Sequence, residues 1–552
     1  MSEFDRTPVA PESLQSGRYF AASYAGEHVA GTEFVIGALF VSFGLGALDV
    51  IIGLVFGNLL AVLTWALICA PIATDTRLTL YAYLEKIAGP HFIKIYSVVN
   101  GVLFCILAGA MITVSASAIR ILFGLEPQTG LLPTDLRFIL IALSVGAVVA
   151  FAAVKGFKFV AKFAEVAAPW MIAMFFVGAL ATLPSLINAT PGLDSVGSTS
   201  DFITLLGSSV FVDKGTDITV WHVIAFTWGA NLAFHGGLGD MTILRFARNK
   251  AYGWYSSLGM FIGHFAAWVA AGIMGAGAAY ILKTPLTQLD AGGVAFQALG
   301  VVGILAVVIA GWTTSNPTIY RAGLAFQSLN PKWSREKVTL IVGIITAIIA
   351  CSPFVFSQLL GFLGIMAVIM APIGAIIFAE HYLFKGMGIA RYWRVSRGDK
   401  LNMPAAITWA STALFAYVLG SVFGIHIFFL FIPTWIAALI LYPLLSSFMG
   451  AKAVDGKRLE EMERVETERK AAEAKALMSL KTQPGHKKSA LETVLLIVAA
   501  IALITCFYLG FKASGNADSV SFKSAIIWPT LIYFIAATIL VFLHKDKTES
   551  AA

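Results

Sequence analysis

Phe226-Thr-Trp-Gly-Ala-Asn-Leu-Ala-Phe-His-Gly-Gly-Leu-Gly-Asp240 decides how this chain is read. The stretch lies in an apolar run, 219–244, long enough to cross a bilayer, yet it holds Asn231, His235, Asp240 and four glycines. Polar and helix-loosening residues at membrane depth are costly unless they line a cavity or are buried in protein. Tyr24-Ala-Gly-Glu-His-Val-Ala-Gly-Thr-Glu-Phe34 has the same character near the start of the chain. Two interrupted hydrophobic segments at corresponding places in two halves point to the binding site of a secondary transporter.

The rest of the composition agrees. Only 12% of the 552 residues are charged, and the mean hydropathy is +0.82. A soluble chain of this size needs far more polar surface, so the expectation is an all-α polytopic membrane protein. The apolar runs are continuous rather than alternating, which excludes a β-barrel. The net charge of +7 is no nucleic-acid signal, because the Lys and Arg residues sit in short loops between apolar runs, where membrane topology puts them. Cys69, Cys105, Cys351 and Cys506 fall inside apolar segments with no metal or disulfide spacing and read as small buried hydrophobes. The first residues, to about Arg18, lack the apolar run of a cleavable signal peptide, so the first hydrophobic helix is expected to be retained.

Apolar runs of roughly twenty residues give about fourteen spans. They cover 20–47, 50–71, 95–123, 136–155, 163–187, 219–244, 253–282, 295–325, 336–355, 358–384, 404–423, 425–449, 490–512 and 524–544. With the N-terminus in the cytoplasm, alternate loops carry Arg77, Lys86 and Lys94; Lys155, Lys158 and Lys162; Arg245, Arg248 and Lys250; Arg321, Lys332, Arg335 and Lys337; and Lys385, Arg391, Arg394, Arg397 and Lys400. The other side carries little beyond Arg137, Lys214 and Lys283. This positive-inside bias places the chain in the cell (inner or plasma) membrane with both termini cytoplasmic, and one missed helix would scramble the alternation.

The expected organisation is a cytoplasmic tail, 1–19; a first half of five spans, 20–187; a polar outer loop, 188–218; a second half of five, 219–385; two further spans, 404–449; a charged cytoplasmic linker helix, 450–488, broken at Pro484-Gly485; and a last pair, 489–545. An odd number of spans per half gives the halves opposite topology, the inverted-repeat logic of alternating-access transporters. The last pair carries almost no polar residues and reads as peripheral.

Several residues carry the chemistry. Gly31 and Thr32 let the first span unwind and free carbonyl oxygens. Glu33 is a carboxylate near the bilayer's middle, read as a substrate acceptor or as a proton or cation ligand; a structural acid paired with a neighbouring helix is the alternative. Glu27 and His28, a turn nearer the cytoplasm, read equally as gate or interfacial residues. Trp228 and Phe234 are flat rings suited to stacking on a planar ligand or to simple packing. His235 is a donor to a substrate carbonyl or a satisfied core histidine. Asn231 offers both donor and acceptor. Asp240 reads as a structural ion pair with Arg245 or Arg248. In the eighth span, Thr313 and Thr314 are adjacent hydroxyls of the kind a dehydrated small cation needs, although threonines also bond back to their own helix. Asn316 followed by Pro317 loosens that helix further.

Four landmarks give the chain a resemblance to the nucleobase–cation symporter family, the group of cytosine, purine, allantoin and hydantoin permeases. They are Gly57-Asn-Leu-Leu60; Arg245-Phe-Ala-Arg-Asn249; Trp312-Thr-Thr-Ser-Asn316 followed by Tyr320 and Gly323; and Ala371-Pro-Ile-Gly374 leading to Glu380-His-Tyr382. In the last, the family usually shows an aspartate before the tyrosine. The resemblance covers about residues 20–445. It implies the leucine-transporter fold, with five-plus-five inverted repeats and two further helices, to which this chain adds a C-terminal extension. It also implies a sodium site between the first and eighth spans: the hydroxyls of Thr313 and Thr314, the carbonyl of Ala310, and first-span carbonyls near Gly31 and Phe34. The third span departs from the pattern. Better-known members carry a Trp and a Gln there that hold the base; here the region reads Phe104-Cys-Ile-Leu-Ala-Gly-Ala-Met111, with Leu107 near the Trp position.

The expected activity is therefore secondary active symport of a nucleobase or related small nitrogen heterocycle by alternating access. The expected substrate residues are Gly31, Thr32, Glu33, Phe104, Trp228, Asn231, Phe234, His235 and Asn316. Sodium or a proton is the coupling ion, and no other cofactor and no nucleic-acid partner is expected. An amino-acid or amine permease of the same fold, and a nutrient sensor on a transporter scaffold, stand as alternatives. A membrane enzyme is not expected, because the chain has neither a Gly-x-Ser-x-Gly elbow nor a His-Glu-x-x-His site.

Overall fold

A computed structural model describes residues 6–128, 130–330, 332–451, 456–481, 489–515 and 519–543. They form helices and connecting turns, with one isolated bridge, Gln15 to Ala247, and no strand among the described residues. Among the described residues, eleven helices are long and apolar enough to cross a bilayer uninterrupted, which makes this a multi-pass membrane protein. The three expected crossings outside that set are the first and sixth, each interrupted, and the ninth, a helix of 15 residues, Arg335–Ile349.

The interruptions fall where glycine and polar residues cluster. The first crossing runs Gly17–His28, unwinds, and resumes at Glu33–Ser42. The sixth runs Val220–Gly229, makes one turn at Leu232–His235, loops, and resumes at Met241–Leu244. In that loop Leu238 sits at φ 63°, the left-handed region that a non-glycine residue adopts only when its surroundings force it. The tenth crossing presses on the break: a Cβ on Gly374 would lie 1.6 Å from the carbonyl oxygen of Gly236, so only glycine lets these backbones meet.

Packing partners reveal the internal symmetry that sequence identity does not. The first crossing packs on the seventh, and the sixth packs on the second. The third packs on the fourth and ninth; the eighth packs on the ninth and fourth. The first lies against the fifth, the sixth against the tenth, and the third against the eighth. Exchanging crossings one to five with six to ten leaves this set unchanged, as two structurally equivalent halves require. The eighth, Val301–Gln327, is the centre, with 89% of its apolar window buried. The penultimate helix, Ala490–Ser514, is the rim at 22%. It and the last helix pack on the fifth crossing, where Tyr533 OH donates to the Val166 carbonyl (2.8 Å) and Trp170 Nε1 to Thr530 Oγ1 (3.2 Å).

The basic loops do gather on one face. Arg77 donates to the carbonyls of Arg245 and Ala247, Arg394 to those of Glu85 and Lys86, and Arg6 to that of Ser328. The opposite face joins Arg120 to Asp290 (2.7 Å) and Ser352 to the Leu131 carbonyl. The N-terminal stretch lies across the basic face, with Val9 N donating to the Arg77 carbonyl (3.0 Å) and Gln15 N to that of Phe246 (2.8 Å).

Some expected boundaries move. The second crossing is longer, Ala47–Thr76, because it continues through a π-helical turn at Trp65–Cys69. The run 295–325 is two helices, Ala291–Leu299 and Val301–Gln327, separated by Gly300 at φ 63°. The helix begun at Arg335 stops at Ile349, ahead of Pro353, rather than continuing to 355. Pro317 does not break the eighth helix. Gly456–Lys481 is helical as expected; Pro484-Gly485 lies outside the described residues.

Candidate functional site

The two breaks face each other across a small cavity of about 50 Å³. Its wall takes Glu27, His28, Ala30, Thr32, Glu33 and Ile36 from the first crossing and Ala230, Asn231 and Phe234 from the sixth. Leu107 and Met111 of the third, His264 and Trp268 of the seventh, Thr314 and Thr318 of the eighth, and Leu359 and Leu363 of the tenth complete it. Helix ends leave carbonyls and amides without intrahelical partners, so a site between two broken helices has backbone polarity ready at membrane depth.

An oxygen cluster sits where the first and eighth crossings meet. Thr314 Oγ1 donates to the Glu27 carbonyl at 2.9 Å and approaches the Ala310 carbonyl at 3.1 Å. Thr313 Oγ1 lies 3.0 Å from the same Ala310 carbonyl. Two hydroxyls and two carbonyls, all buried, form the hard-oxygen donor set that a small cation needs, and hydroxyls can turn their lone pairs inward when a cation replaces their protons as the attraction. The first-span carbonyl in this cluster belongs to Glu27, about one turn before Gly31. Gly31 instead packs on the eighth helix, its Cβ position 3.1 Å from the Val307 carbonyl, and the Phe34 ring stacks on Phe175 at 4.3 Å.

Beside the cluster lies a buried ion triad. Arg321 Nη1 binds Glu27 Oε1 at 2.5 Å, and its Nη2 reaches Glu27 Oε2 at 3.1 Å and Asp240 Oδ1 at 2.5 Å. Asp240 Oδ2 accepts from Trp65 Nε1 at 2.7 Å and from Tyr24 OH at 3.1 Å. The guanidinium also lies 4.4 Å from the Phe234 ring centroid. Asp240 is thus an ion-pair partner, as expected, but its base is Arg321, not Arg245 or Arg248. Arg321 itself is no loop residue: it is 1% exposed, one turn after Pro317 inside the eighth helix.

A second polar group surrounds Glu33. His264 Nε2 lies 3.5 Å from Glu33 Oε1, and Asn231 Nδ2 lies 3.1 Å from His264 Nδ1. The His264 ring stacks on Trp268 at 4.3 Å. Thr32, Glu33, Asn231 and Phe234, all expected at the site, line the cavity together.

Other expected residues do not reach it. Trp228 turns away, donating from Nε1 to Thr64 Oγ1 (3.2 Å) and meeting the Phe431 ring edge-on at 5.1 Å. His235 Nε2 bonds the Trp228 carbonyl at 3.0 Å, so the imidazole bridges the break in its own helix. Phe104 stacks on Phe234 at 5.8 Å behind the wall, and Asn316 is buried away from the cavity.

Sequence reading missed Arg321, His264, Tyr24 and Trp65. The signal for His264 was present: a lone ionisable residue in an apolar span is a candidate site residue by default. Arg321 was hidden because a basic residue near a span's end reads as a loop charge.

No family model and no curated protein matches the sequence. Solved structures do. Mhp1, a nucleobase-cation-symport-1 family transporter, in a closed conformation with bromovinylhydantoin bound, matches at 15% identity and TM-score 0.63, over 82% of this chain and 96% of that one. Its inward-facing conformation matches at 14% and 0.59, over 80% and 93%. A substrate-bound, outward-open Na+-coupled sialic acid symporter matches at 12% and 0.55, over 78% and 90%. Likeness at such identities is one of fold, and the fold is leucine-transporter-like.

Proposed function

We propose that this protein is a secondary active transporter, a cation-coupled symporter that imports a small nitrogen-containing solute, such as a nucleobase or related heterocycle, by alternating access. The observation that carries the reading is the convergence of both broken helices on one cavity, with the oxygen cluster of Thr313, Thr314, Ala310 and Glu27 at its edge. Residues 20–187 and 219–385 act as the two inverted halves, rocking about the site they share. Sodium is the co-substrate that this donor set fits, held by the two hydroxyls and the two carbonyls. A bound cation favours the conformation that gathers those oxygens, and its energy shifts the equilibrium only by its differential affinity for the two states.

A second reading, an amine or amino-acid permease of the same fold, draws support from Glu33, an acid in the cavity wall, and from the apolar Leu107 and Met111 in the third crossing. The test is uptake into proteoliposomes of labelled cytosine, uracil, adenine, guanine, hydantoin, allantoin and a set of amines. Each is run with an inward sodium gradient, with a proton gradient and with neither. Gradient-dependent accumulation of any of them is the expected result. Equal uptake with and without gradients refutes symport.

A further inference from the structure

The cavity wall has a hydrogen-bonding sense that narrows the ligand. His28 Nδ1 lies 2.9 Å from the Tyr24 carbonyl. A carbonyl only accepts, so Nδ1 carries the proton and Nε2 presents a lone pair. His28 Nε2 is buried and unpartnered. The same reasoning orders the group around Glu33. Asn231 Nδ2 lies 3.1 Å from His264 Nδ1 and 3.3 Å from its Nε2, and taking the shorter contact as the hydrogen bond makes Nε2 the N–H that faces Glu33 Oε1 at 3.5 Å. Glu33 Oε2 then remains, buried and unpartnered. Against these two acceptors the wall holds one unpartnered buried donor on a ring, Trp268 Nε1. A buried polar atom without a partner is destabilising, so the site gains by receiving what it lacks, which is chiefly N–H or O–H donors.

Charge points the same way. Glu27, Asp240 and Glu33 are three carboxylates at or beside the cavity, and Arg321 is the one guanidinium among them, engaged by two of the three. Arg321 and a small cation at the oxygen cluster match Glu27 and Asp240, whereas Glu33 has only His264 beside it and, buried, stays ionised only when a cationic ligand arrives.

A planar neutral base, by contrast, finds no vacant stacking platform. Phe234 carries Arg321 at 4.4 Å and Phe104 at 5.8 Å, Trp268 carries His264 at 4.3 Å, and Trp228 faces Phe431. Room of about 50 Å³ equals a few waters, which suits a compact head group.

We infer that the ligand is a small organic cation bearing N–H donors, an amine, amidine or guanidine, with its charged head between Glu33 Oε2 and His28 Nε2. The inference rests on the transport reading of this site. The test compares shape-matched compact pairs on the full-length purified protein: methylguanidine against methylurea, and acetamidine against acetamide. Binding is read by thermal shift, and uptake by proteoliposomes with and without a sodium gradient. The cation of each pair is expected to bind at least tenfold more tightly. Glu33→Gln should erase that preference while leaving the ligand-free melting temperature and its response to sodium in place, and Glu33→Asp should keep it. If Glu33→Gln does not fold, the paired comparison on the natural chain decides alone. Equal or tighter binding of the neutral partners, or an unchanged preference in Glu33→Gln, overturns the inference. Gradient-driven uptake of a neutral base without the cations overturns it and leaves the transport reading standing. Uptake of no probe, in this panel or the heterocycle panel, overturns both.

Discussion

Replacing Arg321 with methionine removes the base that two buried carboxylates share. Three short contacts are lost, two to Glu27 and one to Asp240. Each charged hydrogen bond contributes roughly 1.5–3 kcal/mol net, but the larger effect is what stays behind. A buried ion pair stripped of one partner costs about 3–5 kcal/mol, because the survivor cannot reach water. Asp240 keeps Tyr24 and Trp65 as donors, whereas the Glu27 carboxylate has Arg321 as its ion-pair partner. Arg321→Met should therefore fall near the upper end of that range. Asp240→Asn and Glu27→Gln each leave Arg321 one carboxylate and should cost about 1–3 kcal/mol. Neutralising all three together, Glu27→Gln with Arg321→Met and Asp240→Asn, should recover most of the loss, since a neutral buried triad has no stranded charge. Unfolding of a membrane protein in detergent is commonly irreversible, so the variants are ranked by apparent melting point at one scan rate. A triple variant that melts below Arg321→Met, or an Arg321→Met that melts with the natural chain, refutes the electrostatic account.

Three other perturbations test separate contacts. Thr314→Val removes the hydroxyl that joins the Glu27 and Ala310 carbonyls; stabilisation by sodium over potassium, about 2.7 kcal/mol at a hundredfold excess over Kd, should largely vanish, and its persistence would move the ion elsewhere. Gly374→Ala places a Cβ 1.6 Å from the Gly236 carbonyl oxygen; overpacking of backbone against backbone should cost about 1–3 kcal/mol or more, seen as loss of monodisperse protein on gel filtration, and a normal yield would contradict the tight approach. Glu473→Lys sets like charges against Arg77, which Glu473 Oε1 meets at 2.5 Å, while Lys470 still holds Asp75 at 2.5 Å; hydrogen exchange across 456–481 should rise at least tenfold, and unchanged protection would show that the helix docks without this pair.

What the sequence made legible was the cost of polarity in apolar surroundings. Glycines and Asn231 in one apolar run, and Gly31, Thr32 and Glu33 in another, marked both helix breaks and three of the residues that line the cavity, Thr32, Glu33 and Asn231. The alternation of basic loops located the face on which Arg77 reaches the Arg245 carbonyl and Arg394 that of Glu85. Side-chain direction was not legible. Trp228 and Phe234 are six residues apart on an interrupted helix, and only the geometry of the break decides that Phe234 faces inward while Trp228 faces Phe431. The pairing of Arg321 was hidden for a related reason. Its partners, Glu27 and Asp240, are 294 and 81 residues away, and nothing local records a contact made by the fold. The first-span carbonyl that meets Thr314 is that of Glu27, about one turn before Gly31, a helix-end detail that one glycine only loosely constrains.

Glu27 is the residue through which the oxygen cluster and the ion triad act on each other. Its carbonyl accepts from Thr314 and its carboxylate binds Arg321, and both partners belong to the eighth helix. The helix Gly17–His28 rises from the basic face, tied there through Gln15 to Phe246. Swinging that half-helix away from the eighth opens the cavity toward the basic face and breaks both grips at once. The cluster then loses a carbonyl ligand in the same motion that strands the Glu27 carboxylate. Linkage requires the converse: whatever stabilises the gathered oxygens holds that face shut by the same free energy. On the proposed reading, a cation bound at Thr313 and Thr314 would favour closure on the basic side, and opening there would favour its release. The direction of coupling follows from one residue binding the same helix with both its backbone and its side chain.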